Sequence, residues 1–137
     1  MSTMIPSPAA SVREFHEKCS LPIQRCPADI SEELSTHRQR LLNEEVAELS
    51  EAAESGHLDH VARELADVVY IAYGTALTYG IDLDLVLAEI HQSNLTKLGP
   101  DGRPELRADG KVLKGRSFVA PDVRAVLRGQ GWTPGSK

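Results

Sequence analysis

The chain has 137 residues, 41% hydrophobic but only 4% aromatic, which fits one domain over 1–137 built on Leu, Val, Ile and Ala rather than a β-sandwich. Its net charge of −5 is uneven: residues 1–96 carry 16 acidic and 6 basic side chains, and residues 97–137 carry 4 and 9. An acidic body with a basic tail argues against a nucleic-acid binder and suits a cation site in the body with an anion such as phosphate near the tail, although simple docking of tail on body accounts for it as well.

MSTMIPSPAASVREF lacks the charged start and apolar run of a secretory signal, and no run of about 18 apolar residues follows, so neither export nor a membrane span is expected. Loose ends are expected at 1–10 and 129–137. Val12, Phe15 and Cys19 recur at helical spacing and predict a short first helix. Cys19 and Cys26 match no zinc spacing and make no disulfide scaffold, so two reduced thiols in a cytoplasmic protein are expected. After Pro22 and Pro27, Asp29 and Glu32 have capping-box spacing, and a long helix is predicted from about Ile30 to Glu54, ended by Gly56.

A second long helix is predicted from about Leu58 to Tyr79, apolar around most of its circumference and stopped by Gly80. Asp82 caps a third, from about Leu83 to Leu98, with an inner stripe of Leu83, Val86, Leu87 and Ile90. GPDGRPELRADGKVLKGRS then carries two Asp-Gly turns and five basic residues, a loop with room for a small hairpin. Pro121 opens a last short helix through Leu127. The fold class expected is an all-α bundle with a basic loop attached.

The acids carry the chemistry. At about 100° per residue, with Leu41 at 0°, the apolar arc of the first long helix holds Leu34, Ala52, Leu49, Leu42 and Val46. Glu45 falls inside it at about 40°, Glu48 on its edge at about 340°, and Glu44 just outside at about 300°. On the second helix, Glu64 lies between Ile71, Val68 and Val61, and Asp67 stands beside it. A carboxylate facing a core is costly unless paired or bound to a metal. Two helices that each direct an i, i+3 acidic pair inward make a recognised metal site, and an all-oxygen donor set favours Mg²⁺, Mn²⁺ or Ca²⁺ over zinc. The competing account is an acidic face with salt bridges, for which Arg38, at about 60° on the first helix, is the available core partner.

EEVAE at Glu44–Glu48 followed by ELAD at Glu64–Asp67 resembles the E-E-x-x-E and E-x-x-D signature of the all-α nucleoside triphosphate pyrophosphohydrolases. That superfamily includes MazG-like proteins, dimeric dUTPases and phosphoribosyl-ATP pyrophosphohydrolase. ELADVVYIAYGTALTYGID is similar to the family's second helix along its length, the match covers roughly residues 34–98, and ADGKVLKG with a following Pro-Asp-Val looks like the MazG-like, dUTPase-related branch.

The resemblance implies that Glu45, Glu48, Glu64 and Asp67 bind Mg²⁺, with Mn²⁺ as a substitute, and that Glu44 activates a water or helps hold a further metal. It implies attack on the α-phosphorus, giving monophosphate and pyrophosphate, with dUTP or another non-standard nucleotide as candidate substrate. Phosphoribosyl-ATP hydrolysis in histidine synthesis, a non-catalytic nucleotide-binding module and a plain acidic interaction protein are the alternatives.

Asn94 and Lys97 extend the stripe of the third helix, and the resemblance reads N-x-x-K there as sugar and phosphate contacts; a helix end turning polar is the plainer account. Lys114 and Arg116 in the basic loop are candidate triphosphate clamps. Arg38 stands as a candidate for a phosphate contact or a structural ion pair. Phe15, His16 and Tyr73 are treated as core or helix-surface residues, and His57 and His60 as flanking a helix start. A helix apolar on most sides needs covering, and the resemblance implies homodimers or dimers of dimers.

Overall fold

Each helix begins where a short polar side chain takes over an orphan backbone N–H, with one exception. In the computed structural model, which describes residues 4–135, Ser7 accepts from Ala10 N, with Pro8 in the first turn, and opens α1 (Pro8–Lys18). Ser31 accepts from Leu34 N and opens α2 (Glu32–Ser55). The α3 helix (Leu58–Tyr79) is the exception, since His57 makes no side-chain cap. Asp82 and Asp122 cap α4 (Leu83–Leu95) and α5 (Val123–Gly129) through Leu85 N and Ala125 N. Gly56 and Gly80 end α2 and α3 in the left-handed region, each at φ 75°. At Gly80 a Cβ would also collide with the Cys26 carbonyl.

The described residues form five helices and no strand, an all-α fold as expected. Several boundaries need correction. Residues 8–10 are not a loose end but the first turn of α1, and Gly129 closes α5; residues 1–3 and 136–137 lie outside the described residues. Ser31, not Asp29, caps α2, because Ser31 immediately precedes the first helical residue. The third predicted helix stops at Leu95 rather than Leu98. Thr96 Oγ1 donates to Ser93 O at 2.6 Å and accepts from Val119 N at 2.8 Å, which turns the chain out of the helix.

Packing divides the chain into two units, Met1–Ile81 with Thr133–Lys137 and Asp82–Trp132. In the first, α2 and α3 run antiparallel as a long hairpin, and α1 packs on α3. The link between α1 and α2 is tied to the end of α3: Gln24 Nε2 donates to Thr78 O, Ala28 N donates to Tyr79 O, and the Ser35 hydroxyl meets the Tyr79 hydroxyl. In the second unit α4 packs on α5, and Gln130 exchanges two hydrogen bonds with the Asp82 backbone. The basic loop has isolated bridges Leu98–Pro104 and Leu106–Val112, so its hairpin character stops short of strands. Leu87, expected on the inner stripe of α4, is 48% exposed; Leu83, Val86, Ile90 and Ser93 form the more covered face. Among the described residues no single helix is long and apolar enough to cross a membrane.

Candidate metal centre in the helical hairpin

The antiparallel hairpin brings the middle of α2 against the first half of α3, which is where both acidic pairs lie. One carboxylate oxygen from each of Glu45, Glu48 and Glu64 falls within 4.8 Å of the others. Oε2 of Glu45 and Oε2 of Glu64 are buried and have no hydrogen-bond partner among the described residues. Buried carboxylate oxygens without donors are costly, and adjacent like charges make them costlier. Burial, then the charges of Glu48 and Asp67, push the Glu45 carboxyl above its ordinary range. Burial and then Glu48 do the same to Glu64, with Asp67 adding to the rise and Arg63 partly offsetting it. A divalent cation would relieve all of this at once. The donor set is oxygen only, which fits a hard cation such as Mg²⁺ or Mn²⁺.

The other two acids are placed differently. Asp67 stands outside the close triad, but its charge reaches both Glu45 and Glu64. Glu44 is exposed and also outside the triad.

Arg38 does not neutralise the acids. The ion pairs among the described residues are Lys18–Glu14, His60–Asp59 and Arg107–Asp109. Arg38 is only 6% exposed and instead clamps α2 to α3: Nε donates to Thr75 Oγ1 at 3.1 Å and a terminal nitrogen donates to Ile71 O at 3.0 Å. Burial lowers its pKa from the ordinary arginine value. Of the two roles open to Arg38, the ion pair with an acid is thus absent among the described residues. His16, 2% exposed, lies beside it with Nδ1 at 3.2 Å from Pro22 O. Both crowd Gly74, where a Cβ would sit 2.6 Å from Arg38 and 2.7 Å from His16. Phe15 is 46% exposed and packs edge-on against Tyr70.

Asn94, Lys97, Lys114 and Arg116 belong to the second unit. Asn94 is exposed on the last turn of α4, and Lys97 lies beyond the helix end, so the two do not share one helical stripe. Gly115 passes against the Lys97 carbonyl, where a Cβ would be 3.7 Å from that oxygen, so the Lys114–Arg116 segment runs alongside Lys97. Lys114 Nζ sits 5.1 Å from the Phe118 ring centroid and Arg116 is exposed.

The sequence reading set His60 aside as flanking a helix start and passed over Arg63, yet both line a cleft together with Glu48 and Glu64. The signal was present, since His60 precedes Glu64 by one helical turn and Arg63 adjoins it.

A comparison with the curated proteins finds no match. Residues 12–94 match the phosphoribosyl-ATP pyrophosphohydrolase family, a span that runs from α1 into the last turn of α4 and includes all five acids. The match covers more than half of the 137 residues, and with its all-helical fold the chain belongs to the phosphoribosyl-ATP pyrophosphohydrolase family, whose activity is pyrophosphohydrolysis of a nucleotide.

Proposed function

We propose that this chain hydrolyses nucleoside triphosphates to monophosphates and pyrophosphate, with a non-standard nucleotide such as dUTP as candidate substrate. The observation that carries the reading is the Glu45–Glu48–Glu64 triad, with two buried oxygens that lack donors. Glu45, Glu48, Glu64 and Asp67 would hold Mg²⁺, or Mn²⁺ in its place. A divalent cation held there would neutralise charge on phosphate oxygens and make a neighbouring water more acidic.

Water attacks the α-phosphorus and the bond to the α–β bridging oxygen breaks. Its electron pair leaves on pyrophosphate, and Glu44 takes the proton of the attacking water as general base. On the resemblance, Asn94 and Lys97 are the candidates for contacts to sugar and phosphate, and Lys114 and Arg116 for clamping a triphosphate. Similarity of ADGKVLKG and the following Pro-Asp-Val to the MazG-like, dUTPase-related branch supports a nucleoside triphosphate over other substrates. The family match favours a second reading, phosphoribosyl-ATP, whose α–β bond is cleaved by the same chemistry.

A panel of nucleoside triphosphates and phosphoribosyl-ATP, assayed with Mg²⁺ and with separated products, tests both. Turnover of one or more nucleoside triphosphates to monophosphate supports the first reading. Turnover confined to phosphoribosyl-ATP supports the second, and diphosphate as product opposes both.

A further inference from the structure

We propose that the cleft between the C-terminal part of α2 and the N-terminal part of α3 receives the diphosphate end of the substrate, with Arg63 and His60 binding its terminal phosphoryl oxygens. This rests on the pyrophosphohydrolase reading and adds a direction to it. The cleft has a volume of about 340 Å³ and is lined by Glu48 and Glu64 at one end and by Glu51, Ala52, Ser55, His60 and Arg63 towards the Gly56 turn, so a phosphoryl group enters it only with its charge offset by a cation as well as by Arg63. That volume stands at the small end of ligand pockets, about 300–1,000 Å³, and has room for a diphosphate with its waters. Because it opens from the carboxylates towards the hairpin turn, it lies to one side of the triad, away from Asp67 in sequence.

The charges point the same way. Between Arg40 and Lys97 the sequence holds a single Lys or Arg, and that residue is Arg63, directly beside Glu64. Arg63 takes part in none of the ion pairs among the described residues, although its charge is felt at Glu64. A guanidinium beside a carboxylate cluster, with its donors uncommitted to an acid, is suited to a phosphoryl group that arrives with a cation, because it offers a planar fork to two oxygens. His60 follows on the same wall, one turn before Glu64; its Nε2 lies 3.9 Å from an Asp59 carboxylate oxygen, and a ring N–H can donate to a phosphoryl oxygen. The cleft also opens at the start of α3, where a side-chain cap is missing.

The experiment compares the full chain with Arg63→Gln and Arg63→Lys in two titrations. One uses Mn²⁺ alone, and the other uses inorganic pyrophosphate in excess Mg²⁺, each followed by calorimetry. Removing a positive charge beside Glu64 makes the carboxylate site more negative, so Mn²⁺ binding in Arg63→Gln is expected to be unchanged or tighter. Pyrophosphate binding is expected to weaken about tenfold or more, and Arg63→Lys to recover part of it. Inorganic phosphate and a nucleoside monophosphate serve as parallel probes, and the monophosphate is expected to be affected least.

Equal pyrophosphate affinity in Arg63→Gln and the parent overturns the inference. Weakening of both titrations overturns it too, since that marks a structural role. An equal loss for monophosphate and pyrophosphate refutes the assigned direction. Parent protein that binds magnesium pyrophosphate through Arg63 yet turns over no nucleotide would instead sink the proposed function and leave this site standing.

Discussion

Gly74→Ala sets two physical effects against each other with opposite signs. Alanine is favoured over glycine in a helix interior by about 1 kcal/mol, so propensity alone makes the variant more stable. The packing says otherwise. A Cβ at position 74 would lie 2.6 Å from the Arg38 guanidinium and 2.7 Å from the His16 ring, and both neighbours are nearly fully buried. The Arg38 nitrogen in the way is the one that donates to Ile71 O at 3.0 Å. Displacing it breaks a charge-assisted hydrogen bond worth about 1.5–3 kcal/mol, and overpacking adds about 1–3 kcal/mol. Set against the propensity gain, the expected net destabilisation is about 1.5–5 kcal/mol. Urea unfolding of parent and variant measures it, and a second comparison in an Arg38→Met background checks the cause. With the guanidinium gone, the cost of Gly74→Ala is expected to shrink to what the remaining clash with the His16 ring imposes. A variant as stable as the parent, or more so, would refute the reasoning.

Glu45→Gln is expected to lower kcat/KM by about 100-fold or more, corresponding to about 2.7 kcal/mol, while leaving the cation-free protein no less stable. Steady-state kinetics and thermal melts check the two halves, and an unfolded variant would mean that Glu45 is needed for structure. His16 has a folded pKa lowered by burial and, more weakly, by Arg38, with its bond to Pro22 O acting against them. The unfolded chain therefore takes up this proton first, and the contribution of His16 to stability is full above about pH 6.5 and falls as the pH drops towards the lower folded value. Melts from pH 8 to pH 5 are expected to show a smaller loss in His16→Gln than in the parent, and parallel curves would contradict this. Leu58, Leu65 and Val69 form one exposed apolar stripe on α3, at 80%, 50% and 48% exposure, so light scattering is expected to find at least twice the 14.9 kDa chain mass. Charged substitutions at Leu65 and Val69 are expected to return it to a single chain.

The features that local chemistry controls were legible from sequence. Gly56 and Gly80 end α2 and α3 where the pattern breaks, and Asp82 caps α4, because each acts on its own neighbours. The carboxylate cluster was legible too. A helical wheel puts Glu45 and Glu64 inside apolar arcs, and the hairpin then brings them together. Arg38 was harder, because its partners are a backbone carbonyl and a threonine more than thirty residues away, and a carbonyl has no signature in a wheel. Lys97 was misplaced on a helix for a similar reason, since Thr96 is drawn off by Val119, a tertiary contact. Leu87 looked internal because four apolar residues at helical spacing define a stripe, yet α4 is covered on a narrower face than that stripe spans.

Hydrolysis of a turned-over triphosphate in ¹⁸O-labelled water, with Mg²⁺ and then with EDTA, tests the central claim most directly. Cation-assisted attack at the α-phosphorus predicts one labelled oxygen in the monophosphate, none in the pyrophosphate, and no turnover once the cation is chelated. Label in inorganic phosphate or pyrophosphate, or full turnover in EDTA, would contradict it.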